Sequence, residues 1–111
     1  MIWQKGMELV MMVYKLSDQL PETEKYGLRS QMTRAAISVP SNIAEGGSRK
    51  SKRDHTKFLE YSLGSVYELE TQVIAVDMLN YGDKELINQI LATIDVEQKM
   101  LQSFMIKVEG A

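Results

Sequence analysis

The chain concentrates its positive charge in one segment, and this segment offers the clearest chemistry in the sequence. Between Lys25 and Lys57 there are eight basic residues but only two acidic ones, Glu45 and Asp54. The chain as a whole has a net charge of −2, so its positive charge is segregated rather than abundant. Such segregation is typical of a surface that binds an anionic partner, most commonly nucleic acid.

The densest part of this segment predicts a phosphate-binding surface at a turn between two helices. Lysine and arginine contacts to phosphates supply most of the sequence-independent affinity for nucleic acid, and a helix start adds backbone donors. Basic side chains at a helix start oppose the helix dipole, which favours a function over the alternative of a merely solvated surface. We expect these side chains to face one accessible surface without pairing with acids of their own chain. The residues predicted to bind nucleic acid are Arg29, Arg49, Lys50, Lys52, Arg53 and Lys57.

A second set of polar residues recurs at helical spacing just before the basic cluster. Arg34, Ser38, Asn42 and Glu45 share one helix face. This polar stripe could bind a ligand, but we favour a structural role in which it joins helices or subunits. Arg34 and Glu45 should then find charged partners, because buried charges are normally paired.

The residues that common enzyme and metal sites require are scarce in this sequence. There is no cysteine and a single histidine, His55, so thiolate sites and the paired Glu-x-x-His motifs of di-metal bundles are excluded. We find neither a glycine-rich phosphate loop nor a nucleophile elbow. We therefore expect a protein that is not an enzyme and that uses no metal and no cofactor.

Length and composition predict a single domain that spans residues 1–111. No apolar run approaches the roughly 18 residues of a membrane span, so we expect no membrane association. The absence of cysteine is compatible with a reducing compartment, and we expect the cytoplasm.

Hydrophobic periodicity predicts helices and no strand. The first helix should run from about Trp3 to Gln19, with an apolar face wide enough to contact two neighbours. The second should begin near Pro21 and end at Gly46-Gly47. Because the apolar phase continues across Pro40, we expect a kinked helix rather than a break followed by a new helix. The apolar stripe predicted for the first helix comprises Trp3, Met7, Val10, Met11 and Tyr14, and the residues that widen its apolar face are Leu9, Met12, Val13 and Leu16.

Two further helices complete the predicted fold. The third should span about Lys52 to Tyr81, and Gly64 within it should have a packing reason. Its coiled-coil seam should comprise Leu59, Ser62, Val66, Leu69, Val73 and Val76. The fourth should follow a cap at Asp83 and carry along one face Leu86, Ile90, Ile94, Leu101, Phe104 and Val108. Four helices with short connections predict an all-α, antiparallel up-down-up-down four-helix bundle.

One run of residues in the second predicted helix carries a resemblance to a known family. It reads Arg34-Ala-Ala-Ile-Ser-Val-Pro-Ser-Asn-Ile-Ala-Glu-Gly46. It is followed by Arg49, Phe58-Leu59, Gly64-Ser65 and Glu68-Leu69-Glu70-Thr71-Gln72. With these residues, nearly the whole chain resembles the four-helix bundle proteins encoded in intervening sequences of bacterial 23S ribosomal RNA genes.

The resemblance implies a bundle that assembles into a ring-like homo-pentamer and a suspected role in binding RNA or DNA. A related branch is similar to the accessory proteins of diversity-generating retroelements, which bind nucleic acid and the reverse transcriptase. That branch is strongly basic, whereas this chain has a sequence pI near 5.4. We therefore expect a nucleic-acid-binding accessory protein of weak affinity. The alternative hypothesis is an oligomeric scaffold that binds another protein through Trp3 and the wide face of the first helix.

Overall fold

The computed structural model describes residues 1–110, and within them it contains four α-helices, a short 3-10 turn and no strand. None of these helices combines the length and the apolarity that crossing a membrane requires. The elements are α1 (Ile2–Ser17), the 3-10 turn (Glu22–Glu24), α2 (Leu28–Gly47), α3 (Lys52–Met78) and α4 (Lys84–Gly110).

Helices α3 and α4 run antiparallel, as their contacts at the two ends of the bundle show. His55 near the start of α3 meets Phe104 near the end of α4, with ring centroids 5.8 Å apart. At the opposite end, Lys84 at the start of α4 pairs with Asp77 near the end of α3. Helix α1 packs on α2 and α4, and α3 packs on the same two helices. The predicted four-helix bundle is therefore confirmed.

The buried core follows the apolar stripes that were expected for α2, α3 and α4. The α3 seam from Leu59 to Val76 is fully buried at every predicted position. On α2 the predicted stripe of Leu28, Met32, Ala35, Val39 and Ile43 is buried from Met32 to Ile43, whereas Leu28 is partly exposed. These stripes close around one core because each helix turns a single apolar face inward.

The wide apolar face predicted for α1 is buried on one side only, and most of the stripe placed at its centre is exposed. Trp3, Met11 and Tyr14 are 45, 69 and 47% exposed. Two overlapping stripes on this helix have the same period, so periodicity alone could not decide between them. The buried stripe of α1 is formed instead by Gly6, Leu9, Val13 and Leu16.

The connection from α1 to α2 also differs from expectation, because α2 begins at Leu28 and not near Pro21. Gly27 has a non-helical backbone, with φ −104° and ψ −113°. The Glu24 carboxylate accepts a hydrogen bond from the Leu28 backbone N–H at 3.1 Å. This side chain therefore satisfies one of the donors that the helix start leaves free.

Helix α2 continues through Pro40 without a break, as predicted. Proline removes one backbone donor from the helix interior. Next to it, the Ser62 hydroxyl of α3 donates a hydrogen bond of 2.8 Å to the carbonyl of Val39. Both side chains are fully buried, so this bond ties the two helices together beside the proline.

Helix α3 ends three residues earlier than predicted, at Met78. Asn80 adopts a left-handed backbone with φ 61°. The backbone N–H of Tyr81 donates to the Val76 carbonyl at 3.1 Å, and that of Asn80 donates to Asp77 at 3.0 Å. These two bonds form a Schellman motif, which reverses the chain toward α4.

Candidate nucleic-acid interface

The turn between α2 and α3 exposes a group of basic side chains at one end of the bundle. Helix α3 begins at Lys52, as predicted, because the Ser51 side chain caps it by accepting the Asp54 backbone N–H at 3.1 Å. All the basic side chains of the turn and of the first two turns of α3 are exposed. We call this group the basic tip, and its members are Lys50, Lys52, Arg53 and Lys57.

The charge of the basic tip is not neutralised within the described chain. None of its four side chains forms an ion pair with a residue in the range 1–110. Arg53 and Lys57 lie four residues apart, so they share one face of α3. Asp54 is the acidic residue in the first turn of that helix. The tip can therefore contact a polyanion without first breaking an internal salt bridge.

Arg49 departs from the expectation that it would remain unpaired beside the basic tip. Its guanidinium pairs with the carboxylate of Glu45, one turn earlier in the chain. It also lies over the ring of Phe58, 4.8 Å from the ring centroid. Cation–π contact and ion pairing together hold the turn in place, so Arg49 is better assigned to positioning the tip.

Arg29 lies far from the basic tip, contrary to its inclusion in the predicted site. It stands in the first turn of α2, and the tip follows the last turn of this helix. Twenty residues at 1.5 Å each separate the two ends by about 30 Å. Arg29 also pairs with Glu22 at 3.7 Å. The bundle thus divides the basic segment of the sequence between its two ends.

Tyr61 adds an aromatic surface to the basic tip, which the sequence analysis missed. It lies one helical turn after Lys57 and is 48% exposed. The edge-to-face contact between the rings of Tyr61 and Phe58, with centroids 5.5 Å apart, fixes its orientation. Exposed aromatic rings beside basic groups are the stacking surfaces of single-strand binders. The four-residue spacing of Arg53, Lys57 and Tyr61 could have revealed it.

The polar stripe forms a hydrogen-bonded link between α2 and α3. The Ser38 hydroxyl lies 2.8 Å from the Ser65 hydroxyl of α3. The Asn42 side-chain amide donates at 2.9 Å to both the carbonyl and the hydroxyl of Ser38. Glu45 has the ion pair described above. Arg34 is exposed and has no ion-pair partner within residues 1–110, so the expectation of a charged partner fails there.

His55 turns away from the basic tip and into the end of the core. Its imidazole packs against Gly46, where a Cβ would lie 3.2 Å from the ring. Within residues 1–110, no three histidine, aspartate or glutamate side chains are grouped so as to hold a metal ion.

The fold and the basic tip define a class of small all-α bundles with one cationic end. The chain belongs to the 23S rRNA-intervening sequence protein family, whose family model matches residues 1–103. No match was found among curated protein sequences.

A solved structure has the same architecture. It is described as a protein with unknown function from the S23 ribosomal protein family from Bacteroides thetaiotaomicron VPI-5482. The two chains are 22% identical, with 95% of this chain and 98% of the other covered and a TM-score of 0.87. At this identity, the similarity is evidence for the fold alone.

Proposed function

We propose that the protein is a non-enzymatic, oligomeric accessory protein that binds RNA or DNA through the basic tip. The observation that carries the proposal is the set of four exposed cations at the α2–α3 turn, none of them paired within residues 1–110. The family to which the chain belongs is named for a ribosomal RNA intervening sequence. The expected compartment is the cytoplasm.

The position of the basic tip supports sequence-independent binding. Its cations lie at a helix start, where their charge interacts unfavourably with the helix dipole. A bound anion would compensate for this interaction, which gives the cations a role. Tyr61 beside them provides a ring on which any base can stack. The acid-rich remainder of the chain limits non-specific attraction to this one end.

We further propose that several copies assemble into a ring, most simply a pentamer. Trp3, Met11 and Tyr14 form an exposed apolar flank on α1, as wide as a helix contact requires. On α3, Gly64 has no atom of another helix within 4 Å of the position its Cβ would take, so its expected packing reason does not lie within residues 1–110. A ring would repeat the basic tip, and weak contacts would then add through avidity.

The test measures binding of a fluorescent single-stranded RNA as a function of salt. With four cations contacting phosphates, the logarithm of the affinity should fall with a slope of about −2.8 against the logarithm of salt. Between about 50 and 200 mM salt the affinity of each protomer should fall roughly 50-fold. Absence of binding by the parent protein at the lowest salt would overturn the proposal.

A charge-matched pair of variants separates the basic tip from general electrostatics. Replacing all four tip residues by glutamine should abolish binding and flatten the salt slope. Replacing Lys15, Lys25, Lys84 and Lys99, which are exposed elsewhere, changes the net charge equally and should preserve most of the binding. Equal loss in both variants would show that the basic tip is not the site.

The alternative function is that of a scaffold for another protein, which the exposed flank of α1 favours. In that case the tip variant should retain partner binding, while Trp3→Ala with Met11→Glu should lose it. Retention of the mass of a single chain, 12.6 kDa, at micromolar concentration would exclude the ring under both hypotheses.

A further inference from the structure

One acidic side chain lies inside the core without any partner. Glu97 occupies the apolar stripe of α4 between Ile94 and Leu101, and it is 0% exposed. Neither of its carboxyl oxygens has a hydrogen-bond partner among residues 1–110. Buried carboxylates are almost always paired, so this residue requires an explanation.

The carboxyl lies against the backbone of α1 at a glycine. A Cβ at Gly6 would lie 3.2 Å from Glu97 Oε2, and 3.4 Å from Val39 Cγ1 and Pro40 Cβ. These three side-chain atoms thus surround the same point on α1. A methyl group at position 6 would require these neighbours to move by a few tenths of an ångström, so the glycine allows α1 to approach the acid closely.

The surroundings favour the neutral form of this acid. Burial raises the pKa of the Glu97 carboxyl from 4.5 to about 7, while Lys5 and the terminal amine lower it and Glu8 raises it. Of these charged groups, Lys5 and Glu8 lie on α1, and the terminal amine precedes this helix at Met1. The neighbours that α2 contributes around Gly6 are the apolar side chains of Val39 and Pro40.

We propose that Glu97 is a proton-operated lock that holds the first half of α1, residues 2–9, against the bundle. With Glu97 neutral, α1 packs closed over it. With Glu97 ionised, a buried carboxylate is left without donors, which is costly. Separation of α1 at Gly6 admits water, and the cations on that segment remain near the carboxylate.

Opening would also change the surface near the basic tip. Met1 and the first residue of α1, Ile2, line a cleft of about 380 Å³ together with Met100 and Phe104 of α4. Movement of α1 therefore widens this cleft at the end of the bundle that carries the tip. The lock itself does not depend on whether nucleic acid binds.

Hydrogen exchange at backbone amides tests the lock directly. Protection of the amides of residues 6–10, corrected for intrinsic exchange rates, should fall about tenfold between pH 6 and 8. Amides in the middle of α3 should stay better protected than these at both pH values, because they exchange only when the whole bundle unfolds. The emission of Trp3, the one tryptophan, should shift to longer wavelength with a midpoint near the Glu97 pKa of about 7.

Variants at the lock identify the group that titrates. Glu97→Met has a similar volume and no charge, so both pH effects should vanish. Glu97→Gln should behave likewise and serves if the methionine variant folds poorly. Glu8→Gln removes an exposed acid from the same helix and should retain the transition. Persistence of the pH effects in both Glu97 variants would overturn the proposal.

A second pair of variants tests the contact with α1. Gly6→Ala places a methyl group against Glu97 Oε2, so the amides of residues 6–10 should lose protection already at pH 6. Combining it with Glu97→Ala makes room for that methyl and should restore protection. Equal protection in the single and double variants would show that α1 does not close on Glu97.

Discussion

The stability of the whole bundle should depend on pH through Glu97. A group with a pKa of about 7 in the folded state and 4.5 in the unfolded chain binds more protons when folded between these values. The free energy of unfolding contributed by this group is therefore fully present below pH 4.5. This contribution decreases as the pH rises from 4.5 toward 7. Above pH 7 the contribution changes little.

The size of this loss follows from the separation of the two pKa values. Each pKa unit corresponds to about 1.4 kcal/mol, so the complete loss is about 3 kcal/mol. Between about pH 5 and 8 the expected loss is roughly 2.5 kcal/mol. This is a large fraction of the stability of a small domain, which is typically about 5–15 kcal/mol.

The assay is urea unfolding followed by far-ultraviolet circular dichroism at several pH values and one protein concentration. The difference between the parent and Glu97→Met should be measured, because other acids titrate equally in both proteins. The variant should gain roughly 2.5 kcal/mol relative to the parent between about pH 5 and 8. Glu97→Gln should follow the same trend at lower stability, since its buried amide also lacks partners. A difference that stays constant with pH would refute the burial of an ionisable Glu97.

Three further predictions concern other contacts of the bundle. Tyr61→Ala should weaken single-stranded RNA binding about tenfold but leave duplex binding nearly unchanged, because stacking contributes about 1–3 kcal/mol per base; Tyr61→Phe is the control, and equal losses on both ligands would contradict the stacking role. Met11→Glu should lower the sedimentation mass, whereas Ile106→Glu, at an equally exposed site on α4, should not. Ser62→Ala removes the buried bond to the Val39 carbonyl and should lower the free energy of unfolding by about 1 kcal/mol, as measured in urea; an unchanged value would show that the bond adds nothing.

Much of the fold could be predicted because its determinants are local. The α3 seam repeats at a spacing that fits only one helix face, and Asp83 caps the helix start that it was expected to mark. The start of α2 could not be read in the same way. It depends on the Glu24 side chain reaching the Leu28 backbone N–H, which is a matter of geometry rather than of composition.

The candidate site was predictable in part. The exposed cations of the basic tip follow from their position at a polar turn. Glu97 could also have been noticed in the sequence, because it occupies a core position of the helical repeat between Ile94 and Leu101 on α4. A glutamate at a core position of an otherwise apolar stripe deserves the same scrutiny as a cluster of charges on the surface.

The sequence by itself determined the helices, the predicted stripes of α2, α3 and α4 and the existence of a basic segment, since these depend on neighbours along the chain. Only the tertiary structure decided which of those charges act together. Chain reversal carried Arg29 to the far end of the bundle, and packing placed Arg49 on Phe58. It also closed Gly6 over Glu97. Charges interact through space over a few ångströms, and that distance is set by the packing of helices far apart in sequence.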